Sequence, residues 1–244
     1  MTEALYLTDA YRTRFEAEVL DVVPEGIRLD RTAFYPSGGG QPADAGRLSM
    51  ADGASALVRD VRKTPDGILH LIDPATAFGP GSRVAGEVDW PRRFAHMRYH
   101  TALHILSGVV FRTVGSGITG NQISAERARM DFSLPGFDRA LAESLIEGVN
   151  AVVREKRPVT VRFLPRSEAL KDPGLVRVAQ ELFPDVETVR LIDIEGFDVQ
   201  ADGGTHVANT AEVGTVRLER IENKGSRNKR LYLTVEPVAS PRPD

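Results

Sequence analysis

Two histidines stand four apart in R-Y-H-T-A-L-H, at positions 100 and 104, and a hundred residues on D-G-G-T-H sets Asp202 four positions before His206. On a helix, residues four apart project from one face, so His100 and His104 can offer both imidazoles to a single ion. The glycines between Asp202 and His206 allow a tight backbone path that turns both side chains toward one point. Three imidazole nitrogens and a carboxylate oxygen make an acceptable zinc set. The spacing permits such a site without requiring it, because an H-x-x-x-H pair also occurs on ordinary helices. H-E-x-x-H is absent, and with it the general base of a metalloprotease. His96 falls in the first turn of the expected helix and is left out of the set. His70, in an alternating strand, reads as an ordinary sheet histidine.

These residues need elements to position them. From about residue 15 to 89, short alternating or β-branched runs (E-A-E-V-L-D-V-V, G-I-R-L-D-R-T-A-F, A-L-V-R-D-V-R, G-I-L-H-L-I, R-V-A-G-E-V-D) are punctuated by Pro-Glu-Gly, Pro-Asp-Gly and Gly-Pro-Gly. These five runs exemplify a stretch expected to hold six strands in a small, closed or nearly closed antiparallel barrel. D-W-P-R-R changes the texture: Pro91 suits a first helical turn, and Phe94, Met97, Ala102, Ile105, Leu106, Val109 and Val110 follow at helical spacing over about 92–113. A domain boundary is placed at 88–91. Beyond it come a strand through Ala128, Met130 and Phe132, and a second helix carrying Leu141, Leu145, Ile146, Val149, Val152 and Val153 that Pro158 stops. The runs V-T-V-R-F-L, T-V-R-L-I-D-I and G-T-V-R-L-E-R-I read as strands, the last forming a hairpin with R-L-Y-L-T-V. The expected fold class is α+β, with a barrel domain over 1–89, a domain of helices on one face of a largely antiparallel sheet over 90–236, and a loose tail over 237–244.

Composition narrows the function classes. The 244 residues, 41% apolar and 27% charged, suit a globular protein. With no cysteine, thiol nucleophiles, thiolate metal sites and disulfides are excluded, so any metal sits on nitrogen and oxygen. No stretch approaches the roughly 18–20 apolar residues of a membrane span. The opening M-T-E-A-L-Y-L-T-D-A-Y lacks the pattern of a signal peptide, and a cytoplasmic location is expected. A net charge of −3 gives no global pull on a polyanion, so nucleic-acid binding would rest on local clusters. Candidates are Arg92, Arg93 and Arg98 beside the histidines, and Lys224, Arg227, Lys229 and Arg230 in N-K-G-S-R-N-K-R; each cluster alone also reads as solvated surface. The run T-A-F-Y-P-S-G-G-G-Q-P-A-D-A-G (32–46) predicts a tight turn or a close backbone approach, and it lacks the lysine of a phosphate loop.

Taken together, T-x-F-Y with G-G-G-Q-P-x-D-x-G, then R-x-x-M-R-x-H-T-A-x-H, then G-G-T-H-V resemble, in order and spacing over about 28–235, the stand-alone alanyl-tRNA editing proteins of the AlaX family, of the longer M type. The resemblance implies a β-barrel domain followed by the α/β editing domain shared with alanyl- and threonyl-tRNA synthetases. It implies one zinc ion per chain on His100, His104, Asp202 and His206, although the family pattern has cysteine where this chain has Asp202. It further implies hydrolysis of serine or glycine wrongly esterified to tRNA(Ala), with the tRNA acceptor end as partner. Thr32 is then expected to bond the serine hydroxyl, and Gln41 and Gln122 to line the pocket. Whether the metal activates water or holds the substrate's amino group stays open. A metal-bearing RNA-binding module without hydrolysis, or an editor of another aminoacyl-tRNA, remain the alternatives. A monomer or weak dimer is expected.

Overall fold

The structure is a computed structural model that describes residues 2–74, 78–134, 137–171, 175, 187–224 and 228–240. It divides into two compact units, Met1–Phe94 with Ser240–Asp244, and Ala95–Ala239. The division falls one turn beyond the boundary expected at 88–91. In the described part of the expected loose tail, Ser240 Oγ accepts a hydrogen bond from Trp90 Nε1 at 2.7 Å.

In the first unit the strands are β1 (Glu3–Ala4), β2 (Arg14–Val23), β3 (Gly26–Leu29), β4 (Arg31–Thr32), β5 (Gly46–Ser49), β6 (Ser55–Thr64), β7 (Gly67–Asp73) and β8 (Arg83–Val88). Six of them close a barrel in the order β2-β3-β7-β6-β5-β8, while β1 pairs in parallel with β4. Alternation drives closure: in β2, Phe15, Ala17 and Val19 are buried while Arg14, Glu16 and Glu18 face out. These inward side chains meet Ile27, Leu29, Leu48, Val58, Val61 and Val84 in one apolar core. Within the triple-glycine run, Gly38 and Gln41 exchange both backbone bonds (3.0 and 2.9 Å) across Gly39 and Gly40. Both central residues have positive φ (58° and 84°), a two-residue hairpin turn that side chains disfavour.

The second unit is built on α1 (Trp90–Val114), whose first turn belongs to the first unit and whose Arg92 N–H is capped by Asp89 at 3.2 Å. The strand and helix sequence continues with β9 (Ile118–Ile123), β10 (Ala128–Ser133), α2 (Arg139–Arg154), β11 (Val159–Pro165), α3 (Arg166–Ala169), β12 (Thr188–Ile194), β13 (Asp198–Ala201), β14 (Val216–Asn223) and β15 (Asn228–Val235). Where one sheet was expected there are, among the described residues, two, a four-stranded β14-β15-β10-β9 and a three-stranded β11-β12-β13, both antiparallel. Asp138 caps α2 through Leu141 N, and Leu145, Ile146, Val149, Val152 and Val153 form its buried face as the periodicity predicts. α1 departs from the expected single apolar face: every residue from His96 to Val110 is buried. A helix buried all round must satisfy each of its polar side chains internally, which places His100, Thr101 and His104 under strict geometric control. No helix among the described residues is long and apolar enough to cross a membrane.

Candidate metal centre

α1 carries His100 and His104 one turn apart, and the loop that leaves β13 carries Asp202 to His206. One ligand atom from each of His100, His104, Asp202 and His206 lies within 4.8 Å of the others, so the group can hold a metal ion. His206 stacks on His100 with ring centroids 4.4 Å apart and meets His104 edge-on at 4.5 Å. Asp202 Oδ1 lies 3.6 Å from His100 Nε2 and 3.9 Å from His104 Nε2, and its Oδ2 lies 3.1 Å from His206 Nε2. Tetrahedral ligands on bonds of about 2.0–2.1 Å are spaced about 3.4 Å apart, so the carboxylate–imidazole separations bracket that spacing, while the whole set, within 4.8 Å, would draw in around an ion.

Electrostatics agree with the donor geometry. Burial lowers the pKa of His100 and His206 and pushes that of His104 down to about 4, keeping the imidazoles in the neutral form a metal requires. Burial alone would raise the Asp202 carboxyl, yet the attraction of His100, the contact with His206 and the attraction of His104 hold it well below the usual carboxylate range, so a proton entering the metal-free cluster resides on an imidazole and not on the carboxylate.

Three residues that sequence reasoning did not select shape the centre. Thr101 Oγ1 sits 3.2 Å from His206 Nδ1 and also accepts Val207 N–H at 3.2 Å. With Nδ1–H donating to that hydroxyl, the His206 tautomer leaves Nε2 as the ligand atom. Arg190 on β12 clasps the loop: its Nη1 donates to Asp202 O at 2.8 Å, and its own carbonyl accepts Asp202 N–H at 3.1 Å. Gly204 N donates to Asp202 Oδ2, and a Cβ at Gly204 would lie 2.2 Å from His100 Cε1 and 2.3 Å from Nδ1. Of these, only Thr101, enclosed in H-T-A-L-H, and Gly204, inside D-G-G-T-H, had a local signal.

The other expected site residues are each held by local partners. Thr32, in the first unit, is fully buried; its hydroxyl accepts Phe34 N–H at 3.1 Å and lies 2.8 Å from His70 Nε2. His70 is therefore more than a sheet histidine: Nδ1 faces Ile27 O at 3.3 Å, so Nε2 takes the threonine proton, and burial pushes its pKa down to about 4. Gln41 is buried at the glycine turn. Gln122 is exposed on β9, where it accepts from Arg129 Nε at 3.0 Å and borders a surface cavity whose walls include none of the four ligands.

Several candidate RNA-binding cations are also reassigned. Arg93 is fully buried and gives its N–H groups to both Asp44 oxygens, Ala10 O and Ala33 O. Arg98 is buried against the carbonyls of Glu212, Val213 and Glu236. Both are consumed by the fold, because a buried guanidinium must find acceptors. Lys229 is buried as well. Arg92 is half-buried and donates to Ala43 O at 3.2 Å, Lys224 pairs with Glu222 at 2.9 Å, and Arg230 pairs with Asp131 at 2.7 Å. Arg227 lies outside the described residues.

Comparison with known proteins completes the picture. Residues 3–92 match the family described as class II (A) tRNA synthetases, and residues 189–232 match the threonyl and alanyl tRNA synthetase second additional domain. The chain is 41% identical over 238 residues to the alanyl-tRNA editing protein AlaX-M of Saccharolobus solfataricus, covering 97% of this chain and 100% of the relative. It is 42% identical over 243 residues to AlaX-M of Methanosarcina acetivorans, covering 96% and 99% respectively. Against the alanine–tRNA ligase of Thermococcus kodakarensis it is 40% identical over 226 residues, which span 91% of this chain and 24% of the ligase.

Proposed function

The chain belongs to the AlaX-M family of alanyl-tRNA editing proteins, and on that premise we propose that it is a cytoplasmic hydrolase that frees serine, and glycine, from wrongly charged tRNA(Ala). The observation that carries this reading is the convergence of three imidazoles and the Asp202 carboxylate on one point. Those four residues would hold zinc. When bound, the ion would supply a Lewis acid that activates water or holds the substrate's amino group. The chain's own residues do the positioning: Thr101 fixes the His206 ring, Arg190 pins the Asp202 backbone, and Gly204 lets the loop lie against His100. An oxygen set with Asp202 is harder than one with a thiolate and should accept other divalent ions more readily, which elemental analysis after loading with metal mixtures checks.

Preference for serine over alanine is assigned to Thr32. Its hydroxyl gives its proton to His70 and accepts from Phe34 N–H, which leaves one lone pair to accept a hydrogen bond from an incoming hydroxyl. Thr32→Val should narrow the ratio of Ser-tRNA(Ala) to Ala-tRNA(Ala) hydrolysis, and an unchanged ratio would remove that role. The decisive experiment incubates the purified chain with Ser-, Gly-, Ala- and Thr-charged tRNAs. Release from Ser-tRNA(Ala) supports the proposal. Release only from a threonine tRNA points to another editor, and tight binding without release to an RNA-binding module.

A further inference from the structure

The four-stranded sheet of the second unit has two unlike faces. One is apolar, with Ala128, Met130 and Phe132 of β10 and Leu231 and Leu233 of β15 buried. The other is a band of arginines. A single rung runs Gln122–Arg129–Tyr232–Arg220 across all four strands, and the neighbouring rung on that face runs Gly120–Asp131–Arg230–Glu222. Arg220 lies over the Tyr232 ring at 4.0 Å and Arg127 stands 5.7 Å from the same centroid. The two cations occupy the ring, so the tyrosine serves as a platform for guanidinium groups. Beside it opens a surface cavity of about 470 Å³ whose walls include Arg127, Arg129 and Arg230 against the single carboxylate of Glu126.

The carboxylates on this face are shared. Asp131 binds both Arg129 (3.1 Å) and Arg230 (2.7 Å), and Glu222 binds both Arg220 (2.8 Å) and Lys224 (2.9 Å). Asp131 and Glu222 each offset one of their two cations while Arg127 pairs singly with Glu219 at 3.7 Å, so the positive excess of this face comes from the two shared clusters, in a chain whose total is −3. These anchors also hold the guanidinium planes in place while leaving further N–H donors on every fork, the arrangement that suits bidentate contact with phosphate oxygens. We propose that this face is where the phosphate backbone of an RNA strand docks, with Arg127, Arg129, Arg220 and Arg230 making the contacts. The assignment rests on the reading above that the substrate is a tRNA, and it replaces the cations that the fold buries.

The test measures binding of the full chain to an unacylated tRNA(Ala) transcript across a potassium chloride titration, with single-turnover serine release from Ser-tRNA(Ala) followed in parallel. Arg127 and Arg220 are about half exposed (54% and 49%), so the double variant Arg127→Gln, Arg220→Gln should keep its fold and its metal content. It should lower the slope of log affinity against log salt by about 1.4–1.8, which is about 0.7–0.9 per lost phosphate contact. The pair Arg127→Lys, Arg220→Lys should retain most of the slope. Arg139→Gln with Arg154→Gln, on the exposed side of α2, should leave it unchanged. An unaltered slope in the Gln pair while the wild type still releases serine overturns this docking face and spares the hydrolase reading. A lost slope with no serine release by the wild type does the reverse, and a wild type without affinity for tRNA overturns both.

Discussion

Gly204 shows how little space the metal centre leaves. Its α-hydrogens occupy the position where any side chain would penetrate the His100 ring, so Gly204→Ala must displace either the ring or the Asp202 loop. We expect the alanine variant, after loading with a divalent metal, to retain much less of it in elemental analysis than the wild type while remaining folded by circular dichroism; retention of one equivalent at unchanged affinity would refute the steric argument. Thr101 acts more gently, through hydrogen bonding. Thr101→Val keeps the shape of the side chain but removes the acceptor of His206 Nδ1–H, and loss of such an outer partner weakens metal binding by about 10- to 100-fold. Competition against a chelator of known affinity measures the change. Neither residue needs to touch substrate, so both outcomes are read on the metal alone.

At the scale of elements, α1 carries the heaviest load. Its first turn is riveted by Arg93, whose guanidinium and partner Asp44 both have fully buried side chains, and Asp44 also accepts Tyr35 N–H at 2.6 Å. Removing one member of a buried pair leaves the other charge without compensation, at a cost of about 3–5 kcal/mol. Asp44→Asn should therefore lower the stability of the first unit by roughly that amount in urea unfolding, and a change below about 1 kcal/mol would show that the pair matters less than its burial suggests. Farther along, Arg98 collects carbonyls from the turn at 212–213 and from Glu236, tying the chain that follows β15 back to the helix. Such an arginine acts as a hub for main-chain acceptors, and its substitution should appear in stability before it appears in RNA affinity.

For the molecule as a whole, part of the acid response follows from His70, beside that of the buried histidines of the metal centre. Buried in the first unit, His70 takes up a proton only near pH 4, whereas in the unfolded chain it does so near 6.5. Protons therefore bind the unfolded state more readily between those values, and lowering the pH favours unfolding. The stabilisation is intact above pH 6.5, declines by up to about 1.4 kcal/mol per pH unit below it, and is lost, about 3 kcal/mol in all, by pH 4. His70→Gln should flatten this part of the stability profile in denaturant titrations at several pH values; a variant with the wild-type slope would place the acid sensitivity in other groups. Charge is organised on the same scale, since a chain of net charge −3 concentrates arginines on one sheet face.

What the amino-acid order determined alone is what depends on short-range periodicity. Alternation marks most of the barrel strands, although β5 rests on the four residues Gly46–Ser49 that carry little pattern. The i, i+4 histidines and the Asp-Gly-Gly-Thr-His loop were legible as a candidate ligand set because each half is local, and family resemblance joined the halves. The fate of the charged and polar residues was decided only by tertiary structure. Arg93 meets Asp44 49 positions away and Arg98 meets Val213 115 positions away, so nothing in their neighbourhoods distinguishes a buried rivet from a solvent-facing cation. Conversely Arg127, Arg129 and Arg220 form one band only after β9, β10, β14 and β15 come into register. Burial forces a charge to find partners wherever the fold brings them, and local spacing carries no record of partners that distant.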